Sequence, residues 1–361
     1  MGQLVYPGAV HTRFHHSLGA YHLMGNAVNE LRSKGTEITE EEEVAVKAAI
    51  LLHDIGHGPY SHALEHVVVK GVHHEALSLQ IMHEMNAAFD GQLTLAIQIF
   101  TGAYHKPFLH QLISGQLDVD RMDYLSRDSF FCGVSEGVIG YDRILKMLIV
   151  VDGQLMIEEK GIYSVEKFLV ARRQMYWQVY LHKTVLSAEK MLVKILERAR
   201  SLYTSTDAAM QTGSALDYFL GSFNGTMDAH ALAQFCALDD HDIMHAIKRW
   251  SAHPDKVLSL LCSRFLTRKL YKTTIQSEPF LAATIAAKQK ESLATFELDP
   301  SEVDYVCFTG EATNTLYQTK DERINILFKD GSIKDISLID NALIHQNLSA
   351  AVKKNYICQL L

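Results

Sequence analysis

Apolar positions recur at helical spacing along most of the chain. After a Pro7-Gly8 turn, Leu18, Leu23, Val28 and Leu31 predict a first helix, ended by Gly35. Thr39 reads as an N-cap, with Glu40, Glu41 and Glu42 complementing the dipole of a second helix whose apolar run is Val44 to Leu52. Gly56, Gly58 and Pro59 stop it, because glycine permits positive φ and proline lacks the N–H of a further turn. A helical stretch then carries His62 and Glu65 three apart on one face, and a longer amphipathic run covers Ala76 to Phe89. Across 118–128, Asp120, Tyr124 and Asp128 fall at i, i+4 and i+8 as one polar stripe, with Val119, Met122 and Leu125 on the other faces. Val151 to Tyr163 reads as a hairpin around Asp152-Gly153, followed by one long helix from Ser164 to Tyr203 bearing Arg172, Tyr176 and Tyr180 on a single stripe. Helices continue over 205–270, with Asp239 or Asp240 capping Ile243 to Trp250, and with Trp250 and Phe265 as core. Near residue 300 the period changes. Val303 to Phe308 and Ile324 to Phe328 have strand composition, and Asp330-Gly331 turns the second into Ile333 to Ile336. The expected fold is mainly α: a multi-helix bundle over 1–200, a helical extension over 201–298 and a small C-terminal α+β appendage over 299–361.

Composition narrows the function classes. Of 361 residues 48% are apolar and 21% charged, as in an ordinary globular chain. A net charge of -8 argues against a general electrostatic grip on nucleic acid or anionic membrane, so neither is expected as the main partner. No apolar run approaches the roughly 20 residues that span a bilayer. The five cysteines, Cys132, Cys236, Cys262, Cys307 and Cys358, are scattered without a C-x-x-C pair, which fits reduced thiols and a cytoplasmic location. The 19 histidines are unusual and raise the expectation of a metal site.

The candidate chemistry centres on 53–62, where His53, Asp54, His57 and His62 follow a buried helix. An adjacent His-Asp pair offers one imidazole nitrogen and one carboxylate oxygen to a single cation. Joined by His16 and Asp120 from other segments, His53 and Asp54 make a set of two imidazoles and two carboxylates. Such a set suits a divalent transition metal (Mn, Fe, Ni or Zn), with Mg a poorer fit to the nitrogens. A cation there would lower the pKa of a bound water or polarise a phosphoryl group. His57, His62 and His74 remain as non-ligands, and His62 with Glu65 has the form of an acid–base histidine oriented by a carboxylate. Arg13 and Arg172 supply fixed charge suited to phosphate, and Tyr176 and Tyr180 suit a sugar or base. Each feature also has a plainer reading. A single histidine packs or caps, 118–128 is a solvated helix face, and Arg172, Tyr176 and Tyr180 form a core or interface stripe. His15, His22, His66, His83, His105 and His110 read as structural.

Taken jointly, H-x-R-F-x-H-S over 11–17, HD-x-GHGP-x-SH over 53–62, HHE over 73–75 and D-x-D-R-x-DY-x-x-RD over 118–128 resemble the HD-domain phosphohydrolases. More narrowly they resemble the deoxynucleoside triphosphate triphosphohydrolases, the family of bacterial dGTPases and the SAM-and-HD-domain dNTPase. The resemblance covers about residues 1–200 and implies an HD-domain bundle with His16, His53, Asp54 and Asp120 as metal ligands. It implies His62 as the acid–base residue at the α-phosphate with Glu65 orienting it, and His57 and His74 at the phosphates. Arg13 would meet the α/β-phosphates, Arg172 another phosphate, and Tyr124 and Asp128 the deoxyribose, Asp128 through its 3′-hydroxyl. Tyr180 would pack under the sugar and exclude a 2′-hydroxyl, and Tyr176 stands where another member has a histidine. The implied reaction is attack of water on the α-phosphorus of a dNTP, dGTP among the candidates, by a homo-oligomeric enzyme. Members of the family carry a K-Q-L-G-like base-contacting segment where this chain has Met1-Gly2-Gln3-Leu4, so the resemblance does not extend to base preference or nucleotide activation. Alternatives are another HD nucleotidase or cyclic-nucleotide phosphodiesterase, and a nucleotide-sensing scaffold without turnover. No G-Y-P motif follows the HD pair, and His57 stands where a guanosine-tetraphosphate hydrolase would carry a carboxylate-rich segment.

Overall fold

The computed structural model describes residues 1–69, 71–314, 317, 323–339 and 352–361, with His62 and His66 described in backbone only. The chain is mainly α-helical with small sheets, as its apolar periodicity predicts. Helices α1 (Arg13–Ser33) and α2 (Glu40–Leu52) form an antiparallel-type pair joined by a short loop. Thr39 caps α2 as expected: its hydroxyl accepts from the Glu42 amide at 3.1 Å, and the Glu42 carboxylate accepts the Thr39 amide at 2.8 Å. On α1, Leu23, Val28 and Leu31 are buried with Ala20, Met24 and Ala27, whereas Leu18 lies on the exposed face. The short α3 (Glu65–Val68) and α4 (His74–Ala88) follow. After α5 (Thr94–Phe100) and α6 (Pro107–Gln111) comes α7 (Val119–Cys132), capped by Asp118, whose carboxylate accepts the Arg121 amide at 2.7 Å.

Three sequence expectations change between Pro59 and Leu202. The stretch after Pro59 is not one helix: a 3₁₀ turn at Ser61–Ala63 precedes α3, after Tyr60 and Ser61 both adopt left-handed φ values of 54° and 51°. The hairpin around Asp152-Gly153 lies earlier than its composition suggests. Beyond α8 (Tyr141–Met147), β1 is Leu148–Val151 and β2 is Gln154–Glu158, while 159–161 is a 3₁₀ turn. The long helix is broken: α9 (Ile162–Met175) runs into a π-helical turn at Tyr176–Tyr180, and α10 (Lys183–Leu202) restarts where the His182 ring accepts the Thr184 amide at 3.2 Å. The wider i→i+5 turn takes Tyr176 and Tyr180 off the common stripe that continuous helix would give them.

Helices α11 (Leu216–Gly221), α12 (Ala229–Cys236), α13 (Asp240–Trp250) and α14 (Lys256–Leu266) complete the helical part, with Asp239 as the cap of α13. Strand β3 (Lys272–Gln276), α15 (Ala282–Phe296), the single-turn α16 (Val303–Val306) and β4 (Cys307–Asn314) follow, then β5 (Asn325–Leu327), β6 (Ile333–Asp335) and β7 (Val352–Gln359). The segment expected as a strand from Val303 thus begins as a helical turn and extends only from Cys307. The strands beyond 300 are divided between two sheets begun by earlier residues. One sheet has the order β1-β2-β5-β6, with β5 parallel to β2; the other has β7 between β3 and β4.

Two hydrophobic clusters organise the molecule. The first joins α1, α2, α7 and α9 to the β1–β2 sheet, and the second joins α3, α4 and α10–α14 to the β3–β7–β4 sheet. Trp250 is wholly buried in the second and donates its indole N–H to the Met210 carbonyl at 3.0 Å, whereas Phe265 is only half-buried at its edge. Trp250→Ala is expected to cost about 3–5 kcal/mol of unfolding free energy, read from the midpoint of a urea titration.

Candidate active site

The four residues of the expected metal set come from three helices of the first cluster. His16 lies on α1, His53 and Asp54 close α2, and Asp120 is in the first turn of α7. The His16 Nε2 is 3.0 Å from Asp120 Oδ1 and 3.8 Å from Asp54 Oδ2. The His53 Nε2 is 3.5 Å from both Asp120 Oδ1 and Asp54 Oδ1. His16, His53 and Asp120 each offer one donor atom within 4.8 Å of the others.

The outer nitrogens fix how both rings point. His16 Nδ1 donates to Asp123 Oδ2 at 2.7 Å, and His53 Nδ1 donates to the Ile50 carbonyl at 2.6 Å, turning each Nε2 toward the centre, where a cation would take the place of a proton. Asp123 is itself held by Arg127, which donates from Nε and Nη2 at 2.8 Å each. The α1–α7 approach depends on Gly19, one turn beyond His16: a Cβ there would lie 1.9 Å from Asp123 Oδ1 and 2.1 Å from Arg127 Nη2. On the other side, Gly56 allows α4 to touch the His-Asp turn, since a Cβ would lie 2.2 Å from the His74 carbonyl oxygen. Its amide donates to Ser78 Oγ at 2.9 Å, and Ser78 donates to the His53 carbonyl at 2.7 Å. Gly56 is therefore required by close packing, and neither it nor Gly58 takes a positive φ, which falls instead on Tyr60 and Ser61.

These residues fit a cation. His53 Nε2 is a buried nitrogen with no hydrogen-bond partner among the described residues. Burial opposes protonation of His16, but its hydrogen bonds to Asp120 and Asp123 prevail and lift its pKa to about 10. Burial alone would raise the Asp54 and Asp120 carboxyls, yet the surrounding imidazoles, with Arg13 beside Asp54, hold both well below the usual carboxylate range. The pocket thus concentrates negative charge against nitrogen donors, as a divalent transition metal requires.

A second group adjoins it from the other cluster. His57, Glu65 and His74 gather within 4.8 Å, with the His57 and His74 rings stacked at 4.0 Å. His74 donates from Nδ1 to Glu65 Oε1 at 2.6 Å, and its amide donates to the same oxygen at 3.0 Å. His57 Nε2 lies 3.5 Å from Asp54 Oδ1, linking the two groups. Burial pushes the His57 pKa down to about 4, so this imidazole is neutral through the physiological range. Arg13 pairs with Asp54 Oδ2 and donates from Nε to Ser61 Oγ at 2.7 Å. The side chain of His62, the expected acid–base group, lies outside the described residues.

Along α7, eight residues beyond Asp120, the Asp128 carboxylate accepts the Tyr180 hydroxyl at 2.7 Å on Oδ2 and His11 Nε2 at 2.7 Å on Oδ1. Tyr124 meets Tyr180 edge-on at 6.4 Å. Arg172 donates to Gln116 Oε1 at 3.4 Å, in the loop before the α7 cap. Tyr176 instead donates its hydroxyl to the Thr313 carbonyl at 3.2 Å, on the β4 side. Tyr180 and Tyr176 are thus parted by the π-helical turn. Sequence reading assigned no role to Asp123, Arg127, His11 or Ser61. Asp123 and Arg127 carried a usable signal, an i, i+4 acid–base pair three residues past a candidate ligand.

Comparison with known proteins gives the chain a family. The HD domain matches residues 13–128 and the HD associated region 139–220. A solved phosphohydrolase from Bacteroides thetaiotaomicron superposes with a TM-score of 0.91 at 48% identity, covering 99% of this chain and 90% of that one. The Bacillus subtilis protein YwfO, described as uncharacterized, is 32% identical over 357 residues, which is 92% of this chain and 78% of its own length. A Dictyostelium discoideum homolog of the deoxynucleoside triphosphate triphosphohydrolase SAMHD1 is 32% identical over 223 residues, 56% of this chain and 43% of its own. No helix among the described residues is long and apolar enough to cross a membrane. With the HD-domain match lying over the very helices that converge on His16, His53, Asp54 and Asp120, this chain belongs to the metal-dependent HD-domain phosphohydrolases, in the family that includes the deoxynucleoside triphosphate triphosphohydrolases.

Proposed function

We propose that the protein hydrolyses deoxynucleoside triphosphates to deoxynucleoside and inorganic triphosphate. The observation that carries the reading is the pairing, on one face of α7, of a metal-type cluster at Asp120 with a clamped carboxylate at Asp128. Eight residues of α-helix separate them by about 12 Å, room for a phosphate at one end and a sugar at the other. His16, His53, Asp54 and Asp120 would hold a divalent cation, which when bound would supply Lewis acidity and a more acidic water.

The remaining steps fall to side chains. Arg13, braced by Ser61 and Asp54, presents its guanidinium to the α/β-phosphates, and neutral His57 lies beside it with His74. His62 protonates the departing 5′-oxygen while Glu65 orients it. Glu65 also fixes the tautomer of His74. Arg172, withdrawn from bulk water, takes negative charge along the triphosphate. Asp128 accepts the sugar 3′-hydroxyl, and the Tyr180 ring fills the space that a 2′-hydroxyl would need.

Incubation of the purified chain with each dNTP in turn, with Mn, Mg or Ni added, tests this. Free deoxynucleoside and triphosphate are expected in equal amounts from at least one dNTP. Monophosphate or orthophosphate as the product would assign the site to a different HD nucleotidase or phosphodiesterase reaction.

A further inference from the structure

The segment before α1 crosses the C-terminal part of α7 at contact distance. A Cβ on Gly8 would lie 2.6 Å from the Phe131 carbonyl oxygen. The path places the His11 ring flat against Phe131, with centroids 4.7 Å apart and planes 27° from parallel. In that position His11 Nε2 reaches Asp128 Oδ1 at 2.7 Å. A carboxylate only accepts, so Nε2 carries the hydrogen. The opposite ring nitrogen, Nδ1, is buried and has no hydrogen-bond partner among the described residues. The hydrogen bond to Asp128 thus fixes Nε2 as the donating nitrogen of the His11 ring.

Asp128 is therefore gripped from two directions. Tyr180, from the π-helical turn, donates to one oxygen, and His11, from the segment ahead of α1, donates to the other. Neither bond uses up an oxygen, because each keeps a second lone pair. We propose that His11 is a positioning residue for the sugar. It sets the plane of the Asp128 carboxylate so that the remaining lone pairs meet the 3′-hydroxyl, and it makes discrimination for that hydroxyl depend on a residue outside the metal centre. The inference rests on the dNTP reading given above and adds a specific determinant to it.

The test uses His11→Phe, which keeps the ring on Phe131 but removes the donor, and His11→Gln, whose amide can restore a donor near the Nε2 position. Each is assayed beside wild type on a dNTP and on the matching 2′,3′-dideoxynucleoside triphosphate, with metal content measured in parallel. For His11→Phe, kcat/KM on the dNTP is expected to fall about tenfold, mostly through KM, while the dideoxy substrate is nearly unaffected and metal content is unchanged. His11→Gln should recover much of the loss. An equal fall on both substrates would make His11 merely structural and overturn the proposal, as would no fall on either. If wild type releases no triphosphate from any dNTP, the functional reading itself fails and takes this role with it, an outcome distinct from the other two.

Discussion

Asp54→Ala or His53→Ala is expected to leave the protein folded but to abolish both metal content and turnover. Both side chains face the centre of the cluster. His53 contributes a buried Nε2 with no hydrogen-bond partner among the described residues, and Asp54 contacts His16, His53, His57 and Arg13 at once. Removing Asp54 also frees the Arg13 guanidinium, so Asp54→Asn is a useful companion that keeps the shape and weakens the charge. Elemental analysis of metal per chain, product release from the dNTPs and circular dichroism would be measured together. Chelation of wild type should reproduce the loss, and added metal should restore it. His62→Ala is expected to behave differently, keeping the metal and losing the rate. Should His62→Ala also empty the site, the division between ligands and acid–base groups is wrong.

Asp123→Ala should weaken metal binding by about 10–100-fold without removing any ligand. The Asp123 carboxylate accepts His16 Nδ1–H on one side and is fixed by the Arg127 fork on the other. Without it, His16 loses both its orientation and the charge that makes its Nε2 a good donor. Gly19→Ala should move the affinity in the same direction, because the added methyl would occupy the place of Asp123 Oδ1 and the Arg127 guanidinium. Titration of the metal-free proteins with Mn or Zn, followed by calorimetry, reads both variants. Unchanged affinity in Asp123→Ala would mean that the α1–α7 packing alone holds His16 in place.

Much of the helical part is legible in the chain. The capping box of α2, the cap of α13 and the buried face of α1 follow from local rules that act within a few residues. The break between α9 and α10 is not legible, since 164–203 has unbroken helical periodicity. A π-helical turn adds one residue to a loop of the backbone and leaves no mark in composition. The strand-like stretches beyond 300 were visible as strands, but not their partners. The pairing of β5 with β2, and that of β7, which the sequence reading did not mark as a strand, with β3 and β4, joins residues that no local pattern links.

The site divides in the same way. Which residues are able to bear the proposed chemistry is legible in the sequence: side-chain type says that His16, His53, Asp54 and Asp120 can hold a cation and that Arg13 can meet a phosphate. Helical period also puts Asp120, Tyr124 and Asp128 on one stripe of α7. Only the tertiary structure decided that His16 is aimed by Asp123, that His11 and Tyr180 close on Asp128 from two sides, and that Tyr176 turns away to β4. Those outcomes depend on distances between helices that meet through packing. A side chain's type is a property of one residue, but its partner is chosen by where the cores of the two clusters bring the backbones together.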